Sequence, residues 1–183
     1  MSTSHSLVSE LERLASALAD NQENRTPEVL LPSVAERIAK HVGVKTEELA
    51  ILGLSTRWKH LYFLVPVALK HVGHIPLSSN SALAARTVRD KRAEIVNNFA
   101  AVRHASVFEG IKVGNEAAEA IQKIISAPIL NDGRVVGVLQ ISRKGANAMT
   151  AGPDFSSIEL EKVLALCKPL GKLLSRLTVE TVQ

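Results

Sequence analysis

The tripeptide Asn131-Asp132-Gly133 separates two apolar runs, residues 124–130 and 135–142. Asp-Gly supplies the positive backbone angles that a tight antiparallel hairpin requires. The two runs are therefore expected to fold back on each other as paired strands. Period-two alternation puts Val136, Val138 and Gln140 on one face, and Val135, Gly137, Leu139 and Ile141 on the other.

Upstream, the period is helical. Leu7, Leu11, Leu14 and Leu18 recur at spacings of four, three and four, which predicts one stripe on a helix over 6–19. Residues 21–25 form a polar break. Thr26-Pro27 opens a second helix, with Thr as cap and Pro at the first helical position. Val34, Ile38 and Val42 continue its apolar face, and Gly43 is placed to end it. Short strands are expected over 49–54 and 61–69, joined by a turn at 56–59. Pro66 argues for an edge position or a bulge in the second of them. An extension of that strand over 72–77 is expected, after a bend at Gly73. A helix is predicted over 79–90, capped by Ser79 or Asn80, and a strand over 93–96. Residues 97–114 read as irregular, with a helical turn near 104–108 and a short helix over 115–120. Ser156 and Glu159 form a capping box that opens the last helix. That helix carries Val163, Leu166, Leu170, Leu173 and Leu177 at three-four spacing, and Pro169 within it should kink or split it.

Aromatic residues make up 3% of the chain, so its core must be built from Leu, Val, Ile and Ala. The single cysteine, Cys167, allows no internal disulfide and no thiolate metal cluster. The amino-terminal segment lacks the unbroken apolar stretch of a signal peptide, and no run approaches the roughly 18 residues of a membrane span. A cytoplasmic residence is expected, with no membrane contact. The net charge of +4 is mild. The densest basic cluster, Arg86, Arg89, Lys91 and Arg92, contains Asp90 and no aromatic residue, which argues against nucleic-acid binding.

The order of helix, helix, two strands, helix, strand, irregular cover, hairpin and helix resembles the GAF family of small-molecule sensor and dimerisation domains. The most specific piece is Ser126-Ala127-Pro128-Ile129-Leu130, the Asn131-Asp132-Gly133 turn, and Val135-Val136-Gly137-Val138-Leu139. Phe155-Ser156-Ser157-Ile158-Glu159 with its apolar helix is similar to the family's closing helix. Ile75-Pro76-Leu77, the helix after it and residues 93–97 are similar to the segments before the ligand-covering region. The resemblance implies an α+β fold. A central antiparallel sheet of five or six strands would carry terminal helices on one face, with loops and short helices covering the other. An N-terminal amphipathic helix and short linker would occupy residues 1–25, and a GAF-like domain ending in a long helix residues 26–183. It also implies a pocket under the irregular segments.

Departures from the family narrow the chemistry. Bilin-binding relatives carry their cysteine in the covering region, whereas Cys167 falls in the predicted last helix, which argues against a covalent bilin. Relatives that reduce free methionine sulfoxide need several cysteines. The Asn-Lys-x-Phe-Asp-Glu motif of cyclic-nucleotide relatives is absent from this sequence, and the cofactor is left unassigned.

Ligand-binding candidates are Asn97, Asn98 and Phe99, where a strand ends and the cover begins, His104 and Phe108 within the cover, and Tyr62 and Gln140 as polar groups in apolar strands. A buried amide or phenol needs a partner, which is either a ligand or neighbouring backbone. Arg86, Arg89 and Arg92 suggest an anion nearby. His71 and His74 fall on opposite faces of an extended chain and do not chelate, so no metal site is expected. Glu47 and Glu48 read as surface. There is no Gly-x-Ser-x-Gly elbow, phosphate-binding Gly-rich loop or His-Glu-x-x-His, so no catalytic residue is assigned. Cys167 reads as a small buried hydrophobe. The stripes at Leu7, Leu11, Leu14, Leu18, Val163, Leu166, Leu170, Leu173 and Leu177 have two outcomes. They pair two copies as a four-helix homodimer, or they pack on the chain's own sheet. The expected function is a regulatory sensor signalling through a separate effector protein. The alternatives are a ligand-free interaction scaffold and an enzyme using Cys167 and the histidines.

Overall fold

The computed structural model describes residues 3–19, 26–101 and 119–177. Its elements run in the order α1 (Thr3–Ala19), α2 (Pro27–Val42), β1 (Leu49–Ser55), β2 (His60–Val65), β3 (His74–Pro76), α3 (Leu83–Asp90), β4 (Glu94–Val96), β5 (Ile121–Asn131), β6 (Arg134–Lys144) and α4 (Ser157–Leu177). The six strands form one antiparallel sheet in the order β3-β2-β1-β6-β5-β4. The α+β class expected from the sequence is the fold observed.

Strand alternation divides the core in two. Leu49, Ile51, Ile125, Ala127, Leu139 and Ile141 face α1, α2 and α4 and share a core with them. Ala50, Leu52, Leu61, Phe63, Ile124 and Val138 face α3. Local signals set the element ends where the sequence places them. Gly43 ends α2 with φ +89°. Asp132 and Gly133, both at positive φ, turn the β5–β6 hairpin. At the start of α4 the Ser156 N–H and hydroxyl both donate to the Glu159 carboxylate, at 2.7 and 2.6 Å, and Ser156 Oγ accepts the Ile158 N–H.

Several expectations are corrected. β2 stops at Val65, and Pro66 lies past its end rather than at an edge or in a bulge; residues 67–69 form a short 3-10 turn. A proline has no N–H to give the ladder, so the strand ends before it. Ser79 does not cap a helix. Its hydroxyl accepts the Ala82 N–H, closing a turn, and α3 begins only at Leu83. In β6 the register shifts opposite Ile129 and Leu130. Two residues there face one, so Val135 joins Val138 on the α3 side and Val136 joins Leu139 on the other, which reverses the simple alternation. Pro169 does not split α4, which runs unbroken for 21 residues. A mid-helix proline costs about 3 kcal/mol. Burial of each of Val163, Leu166, Leu170 and Leu173, all fully enclosed, returns roughly 1.5–3 kcal/mol, and the burial wins.

The leucine stripes take the inward option. Leu7, Leu11, Val163, Leu166, Leu170, Leu173 and Leu177 are buried within the single chain, and Leu14 and Leu18 pack half-buried against the same core. All of them are covered by packing within the chain itself.

Glu48 is likewise not a surface acid. It is 6% exposed. Its Oε1 accepts the Lys45 N–H at 2.9 Å and its Oε2 the Lys144 N–H at 2.7 Å, while its carbonyl accepts the Ser142 hydroxyl at 3.1 Å. One carboxylate thus ties the turn before β1 to the end of β6. Glu48→Ala leaves two backbone donors unpaired and is expected to lower stability by about 2–3 kcal/mol. Glu48→Gln keeps one acceptor and should lose about half of that. Urea unfolding of the two variants checks the order.

Candidate functional site

The α3 face of the sheet is largely apolar, with a polar file at its centre. There Gln140 and Ser126 sit opposite each other on β6 and β5, and Thr87 descends on them from α3. Gln140 Nε2 lies 3.2 Å from Ser126 Oγ, and Ser126 Oγ lies 2.7 Å from Thr87 Oγ1. Thr87 Oγ1 donates to Leu83 O at 2.9 Å. All three side chains are buried. A polar file here is costly unless each group is satisfied. The three side chains form one hydrogen-bonded file that runs from the Leu83 carbonyl to the Gln140 amide.

Phe99 is buried on this same face, beside Phe63 and the α3 residues. Gln140 and Phe99 therefore lie on one face of the sheet. Tyr62 is not with them. Leu61 and Phe63 point to the α3 side, so Tyr62 points to the other, with its ring over Gly53; a Cβ on that glycine would stand 2.6 Å from Tyr62 Cζ. Burial pushes the Tyr62 hydroxyl pKa up. Asn98 is exposed. Asn97 turns away from the face and clasps the main chain of Phe155. Its Nδ2 donates to the Phe155 carbonyl at 3.1 Å, and its Oδ1 accepts the Phe155 N–H at 2.8 Å. His104 and Phe108 lie outside the described residues.

Sequence reasoning missed Ser126 and Thr87. The signal was available for Ser126, a lone hydroxyl in the apolar run Ile124-Ile125-Ser126-Ala127, which is the same signal that marks Gln140.

The expected anion site does not form at Arg86 and Arg89. Arg86 makes a bidentate pair with Glu94, at 3.0 and 2.8 Å. Arg89 donates to the carbonyls of Leu77 and Ser79. Arg92 is exposed. His74 stacks on His60 with ring centroids 4.1 Å apart, and His71 is exposed. Among the described residues no three His, Cys, Asp or Glu side chains converge as metal ligands, and no helix is long and apolar enough to cross a membrane. Cys167 is buried in α4, and desolvation pushes its thiol pKa up to about 12. A thiol so shifted holds almost no thiolate at neutral pH.

On the opposite side of the sheet, Phe155 is buried beneath the Arg143 guanidinium, 4.4 Å from the ring centroid. The residues just before α4 are thus held both by β6 and, through Asn97, by the segment that follows β4.

A family model described as GAF domain matches residues 24–167. No curated protein matches the chain. Solved structures do. The GAF domain of a phosphoenolpyruvate-protein phosphotransferase from Coxiella burnetii is 10% identical, with TM-score 0.67 and 100% of both chains covered. The corresponding domain from Acinetobacter is 16% identical, with TM-score 0.63, covering 96% of this chain and 95% of that one. A free methionine-R-sulfoxide reductase from Neisseria meningitidis, solved with its substrate, is 17% identical, with TM-score 0.60, covering 97% and 93%. At these identities the likeness speaks to the fold.

Proposed function

The chain belongs to the GAF domain family, and on that premise we propose that it works in the cytoplasm as a regulatory sensor. A small molecule binds on the α3 face of the sheet, and α4 carries the response to a separate effector protein. Fold alone does not choose this role, since the same fold serves phosphotransferase modules and a reductase. The observation that carries the reading is the Asn97 clasp. Asn97 stands two residues before Phe99, which is buried on the α3 face, and its amide holds Phe155 from both sides of the main chain. Phe155 directly precedes the capping box of α4. A ligand that moves Phe99 therefore pulls on the first turn of the terminal helix. It shifts that balance only through a difference in affinity for the two arrangements. A reductase role is not supported by the residues, because Cys167 is the single cysteine and its thiol is enclosed.

A thermal-shift screen with nucleotides, amino acids and haem tests the reading. A compound present at 100 times its dissociation constant should add about 2.7 kcal/mol, a rise of roughly 5–10 °C for a chain of this size. Hydrogen exchange with that compound should then show a change in protection over residues 157–162. In Asn97→Ala the compound should still bind, and the change over 157–162 should disappear. A screen without any stabilising compound, or a bound compound that leaves 157–162 unaltered in the wild type, refutes the sensor.

A further inference from the structure

We infer that the turn between β1 and β2, together with the end of α3, binds single-stranded nucleic acid without regard to sequence. Trp58 stacks on a base, and Arg57, Lys59, Lys91 and Arg92 meet the phosphates. This role is independent of the sensor's ligand.

Along the sequence the densest basic cluster, residues 86–92, has no aromatic residue beside it. The fold gives it one. The Leu77 N–H donates to the Lys59 carbonyl at 3.0 Å. Arg89 Nη1 donates to the Leu77 carbonyl at 2.5 Å and to the Ser79 carbonyl at 2.7 Å. Leu77 thus joins the last turn of α3 to the turn that carries Trp58. Carbonyl oxygens have no net charge, so Arg89 remains a cation. Lys91 and Arg92 follow it at about 3.8 Å of chain per residue, and both are exposed, as are Arg57 and Lys59. Arg86 is neutralised by Glu94. Within the cluster Asp90 is the one acid set against Arg57, Lys59, Arg89, Lys91 and Arg92.

Trp58 is the chain's single tryptophan and is 66% exposed. It is nevertheless held. Its backbone N–H donates to Ser55 Oγ at 3.2 Å, and the Arg57 guanidinium lies over its ring, 4.9 Å from the centroid. The indole therefore has a cation on one face, and the rest of it meets solvent. Such a ring stacks on any base, because every base has a π-face. Two backbone positions agree. Lys59 and Lys91 have positive φ, +52° and +49°, a conformation that glycine takes freely and lysine does not. Strain of that kind collects at functional positions. At both, the chain keeps a long cation where glycine would relax the backbone.

These residues favour nucleic acid over a lipid surface. A membrane contact wants a broad apolar face, whereas residues 56–59 carry Trp58 as their one apolar side chain. One ring beside a line of cations suits a stacked base with its neighbouring phosphates.

The probe is oligothymidylate of about eight nucleotides, within the usual site size. Fluorescence of the full chain reports on Trp58 alone. The strand is expected to quench it. Log K should fall against log salt with a slope of about −3, as four phosphate contacts at roughly 0.7 each would give. Anisotropy of a labelled strand measures the variants. Trp58→Ala should bind about tenfold more weakly with the slope unchanged. Lys91→Gln combined with Arg92→Gln should reduce the slope to about −1.4 and leave quenching at saturation intact. Inorganic polyphosphate should bind without quenching. No quenching at about 1 mM strand, above the usual non-specific dissociation constants, overturns the inference. So does a Trp58→Ala protein that binds as tightly as the wild type. A blue shift of Trp58 with phosphatidylserine–phosphatidylcholine vesicles, with no response to the strand, overturns it as well and makes the turn a lipid contact. Quenching by the strand and not by polyphosphate decides the matter in the wild type should a variant fail to fold.

Discussion

Leu11→Asp is expected to unfold the chain rather than to release single copies of it. Leu11 is 1% exposed and sits in the core that α1, α2 and α4 build on the sheet. Removing the leucine forfeits roughly 1.5–3 kcal/mol of burial. The aspartate that replaces it must leave water for an apolar site, or protonate, at a further cost of several kcal/mol. The sum is about 5 kcal/mol or more, which rivals the whole stability of an ordinary domain. Far-UV circular dichroism should show lost helix at 25 °C, or a urea midpoint near zero. Leu14→Asp, at a half-buried position on the same helix, should cost about 1–2 kcal/mol and stay folded. The opposite result is equally readable. A Leu11→Asp protein that melts like the wild type but sediments at a lower mass would make the stripe an interface and remove it from the core.

The sequence made some of this legible because the relevant signals are local. A hairpin turn at Asp132-Gly133, a left-handed stop at Gly43 and the Ser156–Glu159 cap each need only neighbours within a few residues, and each stands where those residues put it. The face of a side chain is a different matter. Alternation says that Tyr62 opposes Leu61 and Phe63, but which of the two faces meets α3 depends on how β2 docks on β1, and that pairing contains a register shift at Ile51/Leu52. The Val135–Val136 reversal has the same cause in the hairpin. The candidate site is less legible again, since Thr87 meets Ser126 across 39 residues and Asn97 meets Phe155 across 58. Nothing in the spacing of Asn97-Asn98-Phe99 says that its three side chains go to the Phe155 main chain, to solvent and to the α3 core in turn. The leucine stripes were ambiguous for a related reason: three-four spacing reports that a helix has an apolar side, without reporting what covers it.

Gly171→Ala is expected to destabilise the protein by about 3–4 kcal/mol, against the sign that helix propensity alone predicts. Alanine is the better helix former by roughly 1 kcal/mol, and an exposed mid-helix glycine would gain by the change. Gly171 is buried, however, at the point where α4 lies on the hairpin. A Cβ there would overlap the Leu130 carbonyl oxygen, stand 2.8 Å from its carbonyl carbon and 3.4 Å from the Asn131 nitrogen. All three are backbone atoms of a paired strand, which cannot rotate aside as a side chain can. Gly137 on β6 forms the same flat seat: a Cβ on it would meet Leu52 O and come within 3.3 Å of Leu174 Cδ1. The helix must therefore lift, and lifting loosens the packing of Leu170 and Leu174, both fully enclosed. Losses of that kind in cores run from about 2 to 5 kcal/mol, which exceeds the propensity gain. The melting temperature should fall by roughly 10 °C. Gly43→Ala is the control, because Gly43 has positive φ and open space within 4 Å; it carries only the left-handed penalty of about 1–2 kcal/mol. A Gly171→Ala protein as stable as the wild type would mean that α4 does not rest backbone to backbone on β5, and the route proposed from the α3 face through Asn97 to this helix would lose the rigid seat against which the helix has to respond.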